Sequence, residues 1–165
     1  MRGVLLVALG LLACGKASDG DAAPAPEKAE KAAPAKAETH VADVNAVEVF
    51  GEPNAYTFAV TVASPDTGCD RYANWWEVVS EDGKLLYRRI LRHSHVDDQP
   101  FTRDGGPIEI AADERVFVRA HMHPGGYGGA VMVGTAGSGF AATKDVPSFD
   151  AAIEKADPQP QGCDR

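Results

Sequence analysis

Residues 72–96 read YANWWEVVSEDGKLLYRRILRHSHV, and the reading of this stretch decides the fold. Asp82-Gly83 is the strongest short hairpin signal in the chain, because both residues accept the positive φ that a two-residue turn requires. The segments flanking it, 72–80 and 84–96, are rich in aromatic and β-branched residues and read as a pair of antiparallel strands. A two-residue turn also fixes register. Cross-strand partners then share one sum, which sets His95 opposite Asp70 and His93 opposite Tyr72.

Working outward, residues 44–50 read as a strand closed by Gly51-Glu52-Pro53-Asn54. Residues 56–63 alternate Tyr56, Phe58, Val60 and Val62 against Thr57, Ala59, Thr61 and Ala63, the pattern of a strand with one buried face. Residues 64–68 form a loop, and 97–107 read as a polar loop holding Pro100, Gly105, Gly106 and Pro107. Three further strands are predicted at 108–111, 115–123 and 130–135, the last two joined by a loop that is almost all glycine. Seven short strands in about a hundred residues, without a convincing amphipathic helix, predict an all-β sandwich of immunoglobulin or fibronectin type over residues 41–147. The likeness to envelope proteins carrying such domains is general, with no specific motif behind it. The tail 148–165 is expected to begin with a short helix, Ser148 as cap and Phe149 and Ile153 on one face, and to end as coil.

The N-terminus is built differently. Residues 1–13 carry a single charge at Arg2 and a nearly unbroken apolar run over 3–12, which is the layout of a secretory signal and far short of the roughly 20 residues of a membrane span. The ending Leu11-Leu12-Ala13-Cys14 resembles the lipobox of bacterial lipoproteins. That resemblance implies cleavage before Cys14, acylation of its sulfur and new amine, and a lipid anchor in the membrane. It also implies sorting to the outer membrane, since Gly15 stands where an aspartate would signal inner-membrane retention. Residues 14–40, with Ala, Pro, Glu and Lys and no aromatic residue, cannot bury enough apolar surface to order themselves and are expected to form a tether.

With Cys14 lipidated, two of the three cysteines remain, Cys69 and Cys163, in an oxidising compartment where thiols pair. An intramolecular disulfide is expected. An intermolecular bridge or a thiolate metal site is the alternative, though no Cys-x-x-Cys spacing exists. The formal charge of −8 argues against nucleic acid as a partner.

Four of the five histidines lie in two His-x-His pairs, His93/His95 and His121/His123. On an extended strand residues two apart share a face, about 6.6 Å apart, so each pair presents two imidazoles to one side. With Asp70 and Asp97 nearby, the pairs form a candidate zinc or copper site. The other reading makes them structural histidines that hold loops. Trp75-Trp76 should place one indole in the core and one outside, where with Tyr127 it would contact another envelope protein or a glycan. The glycine run around Tyr127 lacks the Lys-Ser/Thr ending of a phosphate loop and is read as a turn over which Tyr127 packs. No nucleophile elbow or cross-cleft carboxylate pair supports catalysis. The expectation is therefore a non-catalytic, lipid-anchored module, with a small metal-dependent enzyme as the remaining alternative.

Overall fold

The computed structural model describes residues 40–164. The signal segment, Cys14 and the tether up to residue 39 lie outside the described residues. Eight strands follow one another: β1 Asp43–Phe50, β2 Tyr56–Ala63, β3 Tyr72–Ser80, β4 Leu85–Ile90, β5 Phe101–Ile108, β6 Val116–His123, β7 Val131–Thr135 and β8 Gly139–Thr143. They form a three-stranded sheet in the order β1-β2-β5 and a five-stranded sheet in the order β4-β3-β6-β7-β8, with antiparallel pairing throughout.

The two sheets face each other across one apolar core. Phe58, Val60 and Val62 of β2 meet Trp76 and Val78 of β3, and Val116, Val118, Ala120 and Met122 of β6, with Val44, Phe101 and Met132 filling in. Each Val, Phe or Met side chain of this set removed from water contributes on the order of 1.5 to 3 kcal/mol. The inward face of β6 is the one its alternation predicts. In β3 the register against β6 shifts between Ala73 and Trp75, so Ala73 and Trp76 both reach the core while Trp75, Glu77 and Val79 face away.

The register at Asp82-Gly83 is as predicted over most of its length: Trp75 pairs with Ile90, Trp76 with Arg89, Glu77 with Arg88 and Val78 with Tyr87. β4 nevertheless stops at Ile90, so the pairing does not extend to His93 and His95. The stretch 97–107, expected as a loop, holds most of β5, and the strand expected at 108–111 is only its end. Two glycines and a proline hide β5 in the sequence, yet each fits. β5 is an edge strand, where a proline costs no ladder bond. Gly105 lies beneath the Trp76 and Tyr87 rings, where a Cβ would come within 2.7 Å of both. β8, an edge strand of Gly, Phe, Ala and Thr, was not expected, and raises the strand count from seven to eight.

Cys69 and Cys163 are joined in a disulfide, their Cα atoms 5.5 Å apart. It ties the loop before β3 to the C-terminal segment. That segment contains a 3₁₀ helix, Ala151–Lys155, capped by Asp150 and not by Ser148: Asp150 Oδ1 accepts from the Ala152 N–H at 2.8 Å. Ile153 is buried from this turn.

Candidate functional site

The outer face of the five-stranded sheet is covered, and an ion row lies under the cover. Glu77 on β3 stands opposite Arg88 on β4 and opposite Arg119 on β6. Its carboxylate is fully buried and takes one guanidinium on each oxygen: Arg88 Nε and Nη2 lie 2.8 and 2.7 Å from Oε2, and Arg119 Nε and Nη2 lie 2.8 and 2.7 Å from Oε1. The remaining donors of Arg88 go to the C-terminal segment, at 2.6 Å to the Ile153 carbonyl, 2.6 Å to Ala156 and 3.2 Å to Pro158. A buried guanidinium thus serves as the post to which residues 153–158 are strapped. The strap returns the favour by excluding water from the ion row.

Aromatic rings complete the layer. Trp75 stacks on the His121 ring at 3.7 Å, and the Arg88 guanidinium lies 4.5 Å from the indole centre. Tyr127, reaching over from the glycine loop, donates its hydroxyl to Glu77 Oε1 at 2.8 Å and accepts from Trp75 Nε1–H at 3.1 Å. Burial and the Glu77 charge push the Tyr127 hydroxyl pKa well up, so it stays a donor. Positive φ at Gly126 and Gly128 lets the loop carry Tyr127 into this position. Arg119 is held between the Tyr127 ring at 3.8 Å and the Phe149 ring at 4.8 Å. His121 Nδ1 lies 2.6 Å from Asn74 Oδ1, and its Nε2 lies 3.4 Å from Glu154 on the strap. Burial lowers the His121 pKa, against the opposing pull of Glu154.

The other histidine pair lies beyond the end of β4. His93 is exposed, while His95 is 4 % exposed and stacks on Phe101 at 3.7 Å. The backbone N–H of His95 donates to Asp66 Oδ2 at 2.8 Å, and that oxygen lies 3.9 Å from the ring Nδ1, but neither ring nitrogen has a hydrogen-bond partner among the described residues. Burial, followed by the charges of Arg103 and His93, holds its pKa down at about 4.

These positions bear on two expectations. The four imidazoles are not gathered: His121 is committed to Asn74, Trp75 and Glu154, His123 is exposed near Tyr72, and His93 and His95 leave the sheet where β4 ends. Asp70 and Asp97 are exposed, and among the described residues no three His, Cys, Asp or Glu side chains are grouped so as to hold a metal ion. The outward indole is also not a free contact surface. Trp75 is 3 % exposed and Trp76 is fully buried, because Tyr127 and Arg88 close over the first and the core encloses the second.

The covered face has one open continuation. Val118 pairs with Met132 and Val131 with Thr143, so the row that runs Arg88, Glu77, Arg119 goes on to Val131 and Thr143. There a pocket of about 750 Å³ opens, walled by Arg119, Tyr127, Val131, Thr143, Lys144 and Val146. Among the described residues two cations line it and no carboxylate does. Its size is that of small-molecule sites in general. Sequence reasoning missed Glu77, Arg88, Arg119, Thr143 and Lys144 as parts of a site.

No family model matches the chain, and no solved structure matches it. A protein of Halomicrobium mukohataei named "Putative lipoprotein" is 41% identical to it over 97 residues, which cover 58% of this chain and 46% of that relative. The match thus spans about half the length of the relative.

Proposed function

We propose that this chain is a lipid-anchored protein of the cell envelope that displays a single non-catalytic β-sandwich as a binding module. The anchor rests on the lipobox at Leu11-Leu12-Ala13-Cys14 and on similarity to a relative that bears a lipoprotein name. Several acyl chains, at about 0.8 kcal/mol per buried methylene, would make such an anchor effectively permanent. Gly15 after the lipidated cysteine favours the outer membrane. The strand orders β1-β2-β5 and β3-β6-β7 correspond to the A-B-E and C-F-G sets of an immunoglobulin-type sandwich, with β4 and β8 as added edges, and support assignment to that class.

The observation that carries the binding reading is the outer face of the five-stranded sheet. A buried ion row, an aromatic layer and a disulfide-tied strap make that face rigid, and they leave a pocket at its open end. Rigid support beside a concavity is what a binding site needs. Labelled palmitate should enter the full chain expressed in a bacterial host and not the Cys14→Ser variant; equal labelling of both ends the anchor reading. Zinc and copper analysis of purified protein, against a variant with His93, His95, His121 and His123 all changed to Ala, tests the metal expectation directly.

A further inference from the structure

We infer that the pocket walled by Arg119, Tyr127, Val131, Thr143, Lys144 and Val146 binds a small organic anion, a carboxylate carried on an apolar body. The inference deepens the binding-module reading and rests on it.

One carboxylate, Glu77, serves two guanidiniums, so the row carries one positive charge in excess. The two cations do not share that excess equally. Arg88 has three main-chain carbonyls of the strap around it, whose dipoles complement its charge. Arg119 bonds the single oxygen Oε1 of Glu77 and otherwise meets ring faces. The excess therefore sits on Arg119, and Arg119 is the member of the row that fronts the pocket. Lys144 adds a second cation to the lining, and the chain as a whole is acidic at −8. The described lining itself holds two cations and no carboxylate, with Glu77 and Asp43 bonded behind it to Arg119 and to the Ala130 N–H, and a concavity so lined favours the entry of anions.

The rest of the wall specifies the body of the ligand. Val131, Val146 and the Tyr127 ring offer apolar surface, and Val146 is among the few large apolar side chains left exposed. A bare inorganic anion would leave that surface wet. An aryl or alkyl carboxylate would cover it while its head meets Arg119 and Lys144.

The test uses the full chain in lipid nanodiscs, with calorimetric titration against empty discs. Three probes share one body: 4-phenylbutyrate, 4-phenylbutan-1-ol and 4-phenylbutylamine. The acid is expected to bind at least tenfold more tightly than the alcohol, and the amine not at all. Lys144→Glu should weaken the acid at least tenfold and leave the alcohol unchanged, whereas Thr143→Trp, which fills the pocket, should abolish both. Both positions lie at the surface end of the sheet, and unchanged thermal melting verifies that each variant is folded. Equal binding of all three probes, lost together in Thr143→Trp, overturns the anion assignment and leaves the binding-module reading standing. Unaltered acid binding in Lys144→Glu likewise overturns the assignment. No binding of any probe overturns both.

Discussion

The two sheets of this sandwich have outer faces of opposite character. On the three-stranded sheet, β2 alternates buried and half-buried residues, and Thr61 and Thr102 share a hydroxyl contact of 2.8 Å in solvent. On the five-stranded sheet, β3 is buried along its whole length, on both faces. The strands alone do not create the difference, since Glu77, Arg88, Arg119 and His121 have the polarity of a solvated face. A segment some seventy residues further along the chain creates it, folding back across that face and held there by a disulfide. Polar residues on a strand can therefore mark a covered, preorganised surface as well as a wet one, and the cover decides which.

The comparison can be broken by removing the cover. Replacing Cys69 and Cys163 by serine opens a loop with a sequence separation of 94, and the chain-entropy account expects a loss of about 4 to 5 kcal/mol in urea denaturation. A loss below about 1 kcal/mol would mean that the strap is held without the bridge. Next in size is the ion row. Glu77→Ala leaves two buried guanidiniums uncompensated and should cost about 3 to 5 kcal/mol, whereas changing Glu77 and Arg119 together to methionine, which removes one cation with the carboxylate and leaves Arg88 bonded to the strap, should recover part of it. If the double variant is as unstable as the single one, the packing around the row and not its charge is what matters.

A smaller effect is set by His95. Its folded-state pKa, about 4, lies below the ordinary value of 6.5, so the unfolded chain binds the extra proton first. Stability should be constant above about pH 6.5 and fall by on the order of 2 kcal/mol as the pH drops towards 4, after allowance for partial screening. Denaturant midpoints measured across that range should flatten in His95→Phe, and an undiminished slope in that variant would assign the effect elsewhere. The smallest effect belongs to the open face: Thr61→Val should change stability by less than about 0.5 kcal/mol, as surface positions do.

Much of the frame was legible from local pattern. The bounds of β2 and β3 follow from alternation and turn residues, and Asp82-Gly83 fixed a register that holds from Trp75 to Val78. That same register places Glu77 opposite Arg88, so half of the ion row was within reach of the argument that paired His95 with Asp70. What stayed hidden was non-local. β5 carries Gly105, Gly106 and Pro107 because it is an edge under two large rings, a fact that belongs to Trp76 and Tyr87. The burial of Trp75 depends on Tyr127, 52 residues away, and on the strap that holds Arg88 over it. The histidine pairs misled for a related reason: periodicity gives the face of a side chain but not where its strand ends.

The covered outer face can be tested with the two tryptophans, which lie on opposite faces of β3. Acrylamide quenching of the oxidised protein should find both indoles shielded. Reduction of the Cys69–Cys163 bridge should raise quenching, and Trp75→Phe should abolish that rise. An indole freely quenched in the oxidised protein, or a rise on reduction that persists in Trp75→Phe, would contradict the strap and the site built beneath it.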